Sequence, residues 1–194
     1  MPTNLLMISI DTLRLDQLSR WRERWPGPEP GPMPFLDGLI AEGVVLDDHM
    51  SCSNWTFHAA TCTVAGSDPL SWGFVPTATA AGIGAPVPPR AFLADWLGEA
   101  GFHTILVTTN TLFSERHGNG TGYHTHRLTD DAGVTPALDA AAQGLELLEA
   151  ARADGVERWM LHLHLIDPHR PYAPPEAYRG GWSPPPTPYD LDTA

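Results

Sequence analysis

Three short apolar runs, each closing on a polar residue, constrain this chain more than any other feature. They are NLLMISID (4–11), FHTILVTTN (102–110) and RWMLHLHLID (158–167). Nearly continuous apolar runs of this length suit strands buried on both faces, as in a parallel sheet. Helical patterns lie between them. PFLDGLIAEG sets Phe35, Leu36, Leu39 and Ile40 ahead of a Gly43 stop, a short amphipathic helix. Residues 57–66 are small and helix-compatible, and RAFLADWLGEAG (90–101) is a helix with a glycine terminator. The clearest helix is 135–155, with Thr135 as cap, Pro136 in the first turn and Gly155 as stop. VVLDDHM (44–50) reads as a strand or an extended segment. This alternation predicts an α/β fold with a mostly parallel sheet, right-handed crossovers and helices on both faces. Working residues in such sheets sit beyond the carboxyl ends of the strands. Asp11, Asn110 and Asp167 each close an expected strand, so all three converge on one edge.

The bulk numbers exclude several classes. At 194 residues the chain holds one domain with a real core. A 42% hydrophobic and 18% charged composition is globular rather than disordered. With net charge -12 and only 11 scattered lysines and arginines, no nucleic-acid surface is expected. No apolar run approaches the roughly 20 residues that span a bilayer, and no secretory signal pattern opens the chain. The expectation is a cytoplasmic protein without a membrane segment. Pro/Gly-rich stretches at 26–34 and 76–89 read as connectors, and the region from about 170 to 194 as a Pro-rich tail. An acidic chain that handles anionic esters must do so locally, with metal ions or histidines, of which there are nine.

Several residues could carry chemistry. Asp11, followed by Thr12, can hold a hard cation or cap the next helix. The stretch NWTFHAATC (54–62) offers the Thr56 hydroxyl, the His58 imidazole and the Cys62 thiol. Thr56 reads as an N-cap, in a place where free backbone N–H groups welcome an anion; His58 is a base or a polar residue at a helix start. Cys52 and Cys62 are too few for a disulfide framework, match no zinc spacing, and read as small hydrophobes. His162 and His164 share one strand face, with Asp167 and His169 in the loop beyond; strand histidines are either structural or metal ligands.

Taken together, NLLMISIDTLRLDQL, MPFLDGLIAEGVVLDDHMS, NWTFHAATCTVAG, RAFLADWLGEAGFHTILVTTN and LHLIDPHRPYAPPEAY resemble the N-terminal part of the sulfatase branch of the alkaline phosphatase superfamily. The segments occur in that family's order and cover most of the chain. The resemblance implies one sulfatase-like α/β domain, of which residues 1–194 are the N-terminal part. It matches Asp11 to the strand-end aspartate that binds the active-site cation, and Thr56 to the nucleophile, which is also a metal ligand. His169 matches the histidine of a D-P-H-x-P-Y segment that contacts substrate or leaving group. Asn110 stands near a family lysine, and His164 where many members carry histidine; with His58 these are candidate substrate contacts.

The sequence also departs from the family pattern. His58, Ala59 and Ala60 replace the Pro, Ser and Arg or His that follow the nucleophile, and neither cysteine begins a formylglycine motif. The family's second pair of metal ligands, in an S-D-H-G-like segment, lies beyond residue 194. The resemblance thus implies a metal-dependent hydrolase of sulfate, phosphate or phosphonate esters. It would use calcium, manganese, zinc or magnesium, and a missing segment or second chain would complete the site. The alternative is an inactive sulfatase-like scaffold that binds a ligand or a protein partner.

Overall fold

The first expected run forms strand β1 (Leu5–Ile10), the second β4 (His103–Thr108) and the third β6 (Trp159–Leu165). The computed structural model describes residues 4–21, 33–74, 78–79, 82–83, 91–129, 135–169 and 176. Two compact units divide the chain: residues 1–11 with 50–169, and residues 12–49 with 170–194.

In the first unit, helix α2 (Thr56–Ala65), a two-residue strand pair β2 (Ala78–Thr79) and β3 (Gly82–Ile83), and helix α3 (Leu93–Glu99) precede β4. Strand β5 (Thr125–Leu128) and helix α4 (Ala137–Ala153) follow, then β6. The sheet order is β1-β6-β4-β5 and every pairing in it is parallel. Strand β5 was not expected. THRL lacks the apolar run that marks a doubly buried strand, and its side chains are all half-buried at the sheet margin.

Side-chain alternation assigns the two faces. Ile105, Val107, Leu161 and Leu163 point to α4 and pack with Ala140 and Leu148. Leu106 points the other way, where Ala60 and Val64 of α2 meet Phe92 and Phe113. Helices therefore cover both faces, as the pattern of runs predicted. The second face also receives His162 and His164, because they are in register with Leu106 and Thr108. The buried polar side chains of β4 and β6, Thr104, Thr108, His162 and His164, thus all lie on the α2 face. On the α4 side, Leu6 and Ile8 of β1 remain 59% and 42% exposed.

Helix ends differ in detail from the sequence reading. Helix α4 begins at Ala137, and the Asp167 carboxylate, rather than Thr135, accepts from Ala137 N–H at 3.0 Å. Gly155, at φ 89, follows its end. The segment between β4 and β5 turns twice through 3-10 geometry, at Thr111–Phe113 and Glu115–His117. Buried Asn119 then donates to Leu112 O at 2.8 Å and accepts from Thr61 of α2 at 2.9 Å. Next to it, a Cβ on Gly120 would lie 2.5 Å from Glu115 N, a backbone atom that cannot swing aside. Gly120→Ala is expected to cost about 2 kcal/mol, seen as a lower melting temperature, because backbone must move to admit the methyl. An unchanged melting temperature would contradict that packing.

The second unit contains helix α1 (Pro34–Glu42), where PFLDGLIAEG was expected to be helical. Two 3-10 turns precede it, at Leu15–Gln17 and Ser19–Trp21. Arg20 pairs with Asp47 through two nitrogens, at 2.8 and 2.9 Å. Residues 44–50 form no strand. With two aspartates and a histidine in VVLDDHM, few side chains there can be buried, and Val44, Leu46 and Met50 are exposed. The expected loop 76–89 falls mostly outside the described residues, as does most of the Pro-rich tail.

Candidate functional site

Asp11 follows β1 directly, and its N–H still donates to Leu165 O of β6 at 2.8 Å. The ladder thus holds the aspartate at the carboxyl edge of the sheet. Thr12 then takes φ 56, a left-handed conformation that costs a β-branched residue on the order of 1–2 kcal/mol. Such strain persists where surrounding structure enforces it, commonly at functional sites.

Three side chains meet the Asp11 carboxylate. Thr56 Oγ1 donates to Oδ2 at 3.0 Å, and Asn110 Nδ2 donates to the same oxygen at 3.2 Å. His164 Nε2 lies 3.9 Å from it. The sequence reading placed Thr56 as the helix cap; instead it is the first residue of α2, after Trp55, and its hydroxyl turns to Asp11. Asn110 spends its other amide end on Leu112 N–H, which Oδ1 accepts at 2.9 Å. It reaches Asp11 because β4, two strands away from β1, ends at the same edge.

Behind Asp11 runs a series of polar groups, with His162 and His164 buried and Ser9 and Tyr123 half-buried. His164 Nδ1 contacts Ser9 Oγ at 2.8 Å, and Ser9 Oγ contacts His162 Nε2 at 3.0 Å. His162 Nδ1 in turn contacts the Tyr123 hydroxyl at 2.8 Å. Phe113 lies against both imidazoles, with ring centroids 5.0 Å from His162 and 4.6 Å from His164. Burial lowers the pKa of His162 to about 3, with the neighbouring His164 adding to the effect. Burial likewise lowers His164 to about 4, although Asp11 pulls it upward. Both rings are therefore neutral at pH 7, and the His164–Asp11 approach is not an ion pair. Burial also raises the Tyr123 phenol, which stays protonated.

Other sequence-derived candidates lie elsewhere. His58 is two residues along α2 from Thr56, about 200° around the helix, and contacts Asp68 at 3.1 Å. Leu70 N–H and then His58 lower the Asp68 pKa. An imidazole nitrogen of His58 also lies within 4.8 Å of both cysteine sulfurs. Cys52 and Cys62 are joined in a disulfide, which corrects their reading as small free hydrophobes. His169 sits in the turn after β6, its N–H donating to Ile166 O at 2.7 Å, on the edge that carries Asp11.

Sequence reasoning missed Ser9, Tyr123 and Asn119. Ser9 had a signal: a hydroxyl in an otherwise apolar strand, two residues before Asp11 and therefore on the same face. Tyr123 and Asn119 had none, since both lie in the irregular segment between β4 and β5.

The arrangement suits a divalent cation on its own chemistry. A buried carboxylate and a hydroxyl supply hard oxygen donors, and the buried His164 Nε2 beside them has no hydrogen-bond partner. Orphaned buried polar atoms need a cause, and at His164 Nε2, which lies 3.9 Å from Asp11 Oδ2, a bond to a cation would supply one. No helix among the described residues is long and apolar enough to cross a membrane. Comparison with curated proteins and with solved structures finds no match. The family model described as Sulfatase matches residues 3–184. With that match spanning nearly its whole length, and with a parallel α/β sheet to carry it, the chain belongs to the sulfatase family, within the alkaline phosphatase superfamily.

Proposed function

We propose that this chain carries half of the active site of a metal-dependent hydrolase of sulfate, phosphate or phosphonate esters. The observation that carries the reading is the 3.0 Å hydrogen bond from Thr56 to Asp11, made at the carboxyl edge of the sheet. Asp11 and Thr56 would hold the cation, whether calcium, manganese, zinc or magnesium. When bound, it supplies positive charge that favours the alkoxide form of a nearby hydroxyl and stabilises charge on the ester oxygens.

The chain's residues then have distinct tasks. Asp11 Oδ2 engages the Thr56 proton, which leaves the lone pairs of Oγ1 free for in-line attack on sulfur or phosphorus. Asn110 keeps the carboxylate turned toward Thr56, and so acts on the nucleophile through Asp11. His169 orients the ester or protonates the departing oxygen. Residue 56 opens α2, so free N–H groups of the first helical turn face the ester anion.

Asp11 and Thr56 offer too few oxygens for calcium or magnesium, which take about six or more ligands. We infer that the remainder comes from sequence beyond residue 194 or from a second chain. The uncovered Leu6 and Ile8 on β1 support this, because an apolar sheet face in a finished domain is normally covered. A cytoplasmic address, as the sequence suggested, would be unusual for a protein with the Cys52–Cys62 disulfide.

The inactive-scaffold reading draws on Ala60, which is buried in the core under α2 where the family carries a charged residue. Metal binding separates the two readings. Millimolar Mn2+ is expected to raise the melting temperature of the 194-residue chain by a few degrees, and Asp11→Asn should remove the shift. The chain alone should not turn over an aryl sulfate or aryl phosphate. No metal response in either protein would favour the scaffold, and turnover at enzymatic rates without a partner would refute the missing-ligand inference.

A further inference from the structure

We propose that His164 Nε2 is itself a ligand of the cation at Asp11, and that Ser9, His162 and Tyr123 set its tautomer by reversing direction together when the cation binds. The inference rests on the reading of Asp11 as a cation site.

The argument starts from Nε2. His164 is 4% exposed, its Nε2 is unpartnered, and Asp11 Oδ2 lies 3.9 Å from it. That distance is too long for a hydrogen bond. Two ligands on one cation, each at about 2.0–2.4 Å, sit roughly 3–4 Å apart. The gap is therefore of a size that a cation fills.

A neutral imidazole carries one N–H, and the state of one nitrogen fixes the other. Without a cation, a lone pair on Nε2 would face the carboxylate and be repelled. Nε2 then keeps its hydrogen, and Nδ1 accepts from Ser9. The Ser9 hydroxyl has one hydrogen, so it must accept from His162 Nε2–H, which leaves His162 Nδ1 to accept from Tyr123. Every bond in the series is satisfied, and it runs from Tyr123 toward Asp11.

A cation on Nε2 requires the lone pair there, so the hydrogen moves to Nδ1. Nδ1–H now donates to Ser9, Ser9 donates to His162 Nε2, and His162 Nδ1–H donates to Tyr123. The series runs the other way. One proton leaves at Nε2 and one enters at the Tyr123 oxygen, so the proton count is unchanged and both rings stay neutral. Packing against Phe113 suits this, since an uncharged ring tolerates an apolar neighbour. His162 touches no cation in either state, yet its tautomer must follow that of His164. A merely structural histidine pair would have no reason to do so.

The test is the long-range 15N–1H NMR spectrum of the disulfide-bonded chain labelled at histidine, recorded with and without Zn2+ at pH 7.5. Without zinc, His162 and His164 should both show the Nε2–H pattern; with zinc, both should show Nδ1–H. Ser9→Ala should uncouple His162 from zinc and weaken zinc binding by about 10- to 100-fold, as expected when the outer partner of a ligating histidine is lost. Should that variant fail to fold, the wild-type spectra decide alone. Zinc binding that Asp11→Asn abolishes, with both histidine tautomers unmoved, would overturn this inference and leave the cation site standing. Zinc binding indifferent to Asp11→Asn would overturn both.

Discussion

Thr56→Ala is expected to lower ester turnover by about 10^4-fold or more once the cation site is complete, as loss of a catalytic nucleophile does. Replacing Cys52 and Cys62 together with Ala should cost turnover less than about tenfold. On the proposed reading, the two changes separate because the Thr56 hydroxyl and the disulfide do different work around one helix. Thr56 opens α2 with its hydroxyl on Asp11, whereas the disulfide ties the loop before α2 to its last turn. Closing a loop of this length stabilises by about 3 kcal/mol through the unfolded chain, so the cysteine variant should melt lower while still reacting. Thr56→Ser, which keeps a hydroxyl, should recover a large part of the rate. Full activity in Thr56→Ala, or its loss in the cysteine variant at temperatures where that variant is folded, would move the nucleophile elsewhere.

Acid should unfold this protein early. His162 and His164 have ordinary pKa values of 6.5 that burial lowers to about 3 and about 4. Below pH 6.5 the unfolded chain takes up protons at these positions that the folded chain refuses. Stability therefore falls as pH drops from 6.5, down to about 4 for His164 and about 3 for His162. At pH 5 each ring accounts for about 2 kcal/mol of loss relative to pH 7.5, or about 4 kcal/mol together. Urea midpoints across that range read the effect directly. His162→Gln cannot titrate, so it should start less stable at pH 7.5 but lose only about half as much on acidification. Parallel decline of the variant and the wild type would mean that the imidazoles are not the acid-labile groups.

The fold was legible in the sequence where burial on both faces forced an unambiguous pattern. β4 and β6 show it plainly; β1 carries the same apolar run although Leu6 and Ile8 stay exposed, and the parallel sense of the three strands followed. β5 was hidden because a marginal strand does not need apolar residues on both faces, and THRL has a single one, Leu128. The candidate site was legible where a side chain closes a strand: Asp11 and Asn110 were picked out on that ground and lie within hydrogen-bond reach. What could not be read was partnership across the sheet. Ser9 and His162 are 153 positions apart, and only the β1–β6 register brings them together. Local pattern also misjudged direction. Spacing alone made His58 and Thr56 neighbours, but helix geometry sends their side chains apart, one to Asp68 and the other to Asp11.

The same register bears on how the chain folds. β1 is the first strand, yet its only partner among the described residues is β6, with Leu5 beside Met160. A ribosome adding about 5–20 residues per second needs roughly 8–30 s to make the intervening chain. During that interval LLMISI has no strand to pair with. Loop closure over so long a span is also slow, which places β1 docking late on the folding path. Because Asp11 is carried by β1 and Thr56, Asn110 and His164 by elements that can assemble without it, the site forms in the last folding event. If Asp11 holds a cation as proposed, a nascent chain should gain its metal response only after β6 has cleared the exit tunnel, and newly made protein held by a chaperone before that step should have none.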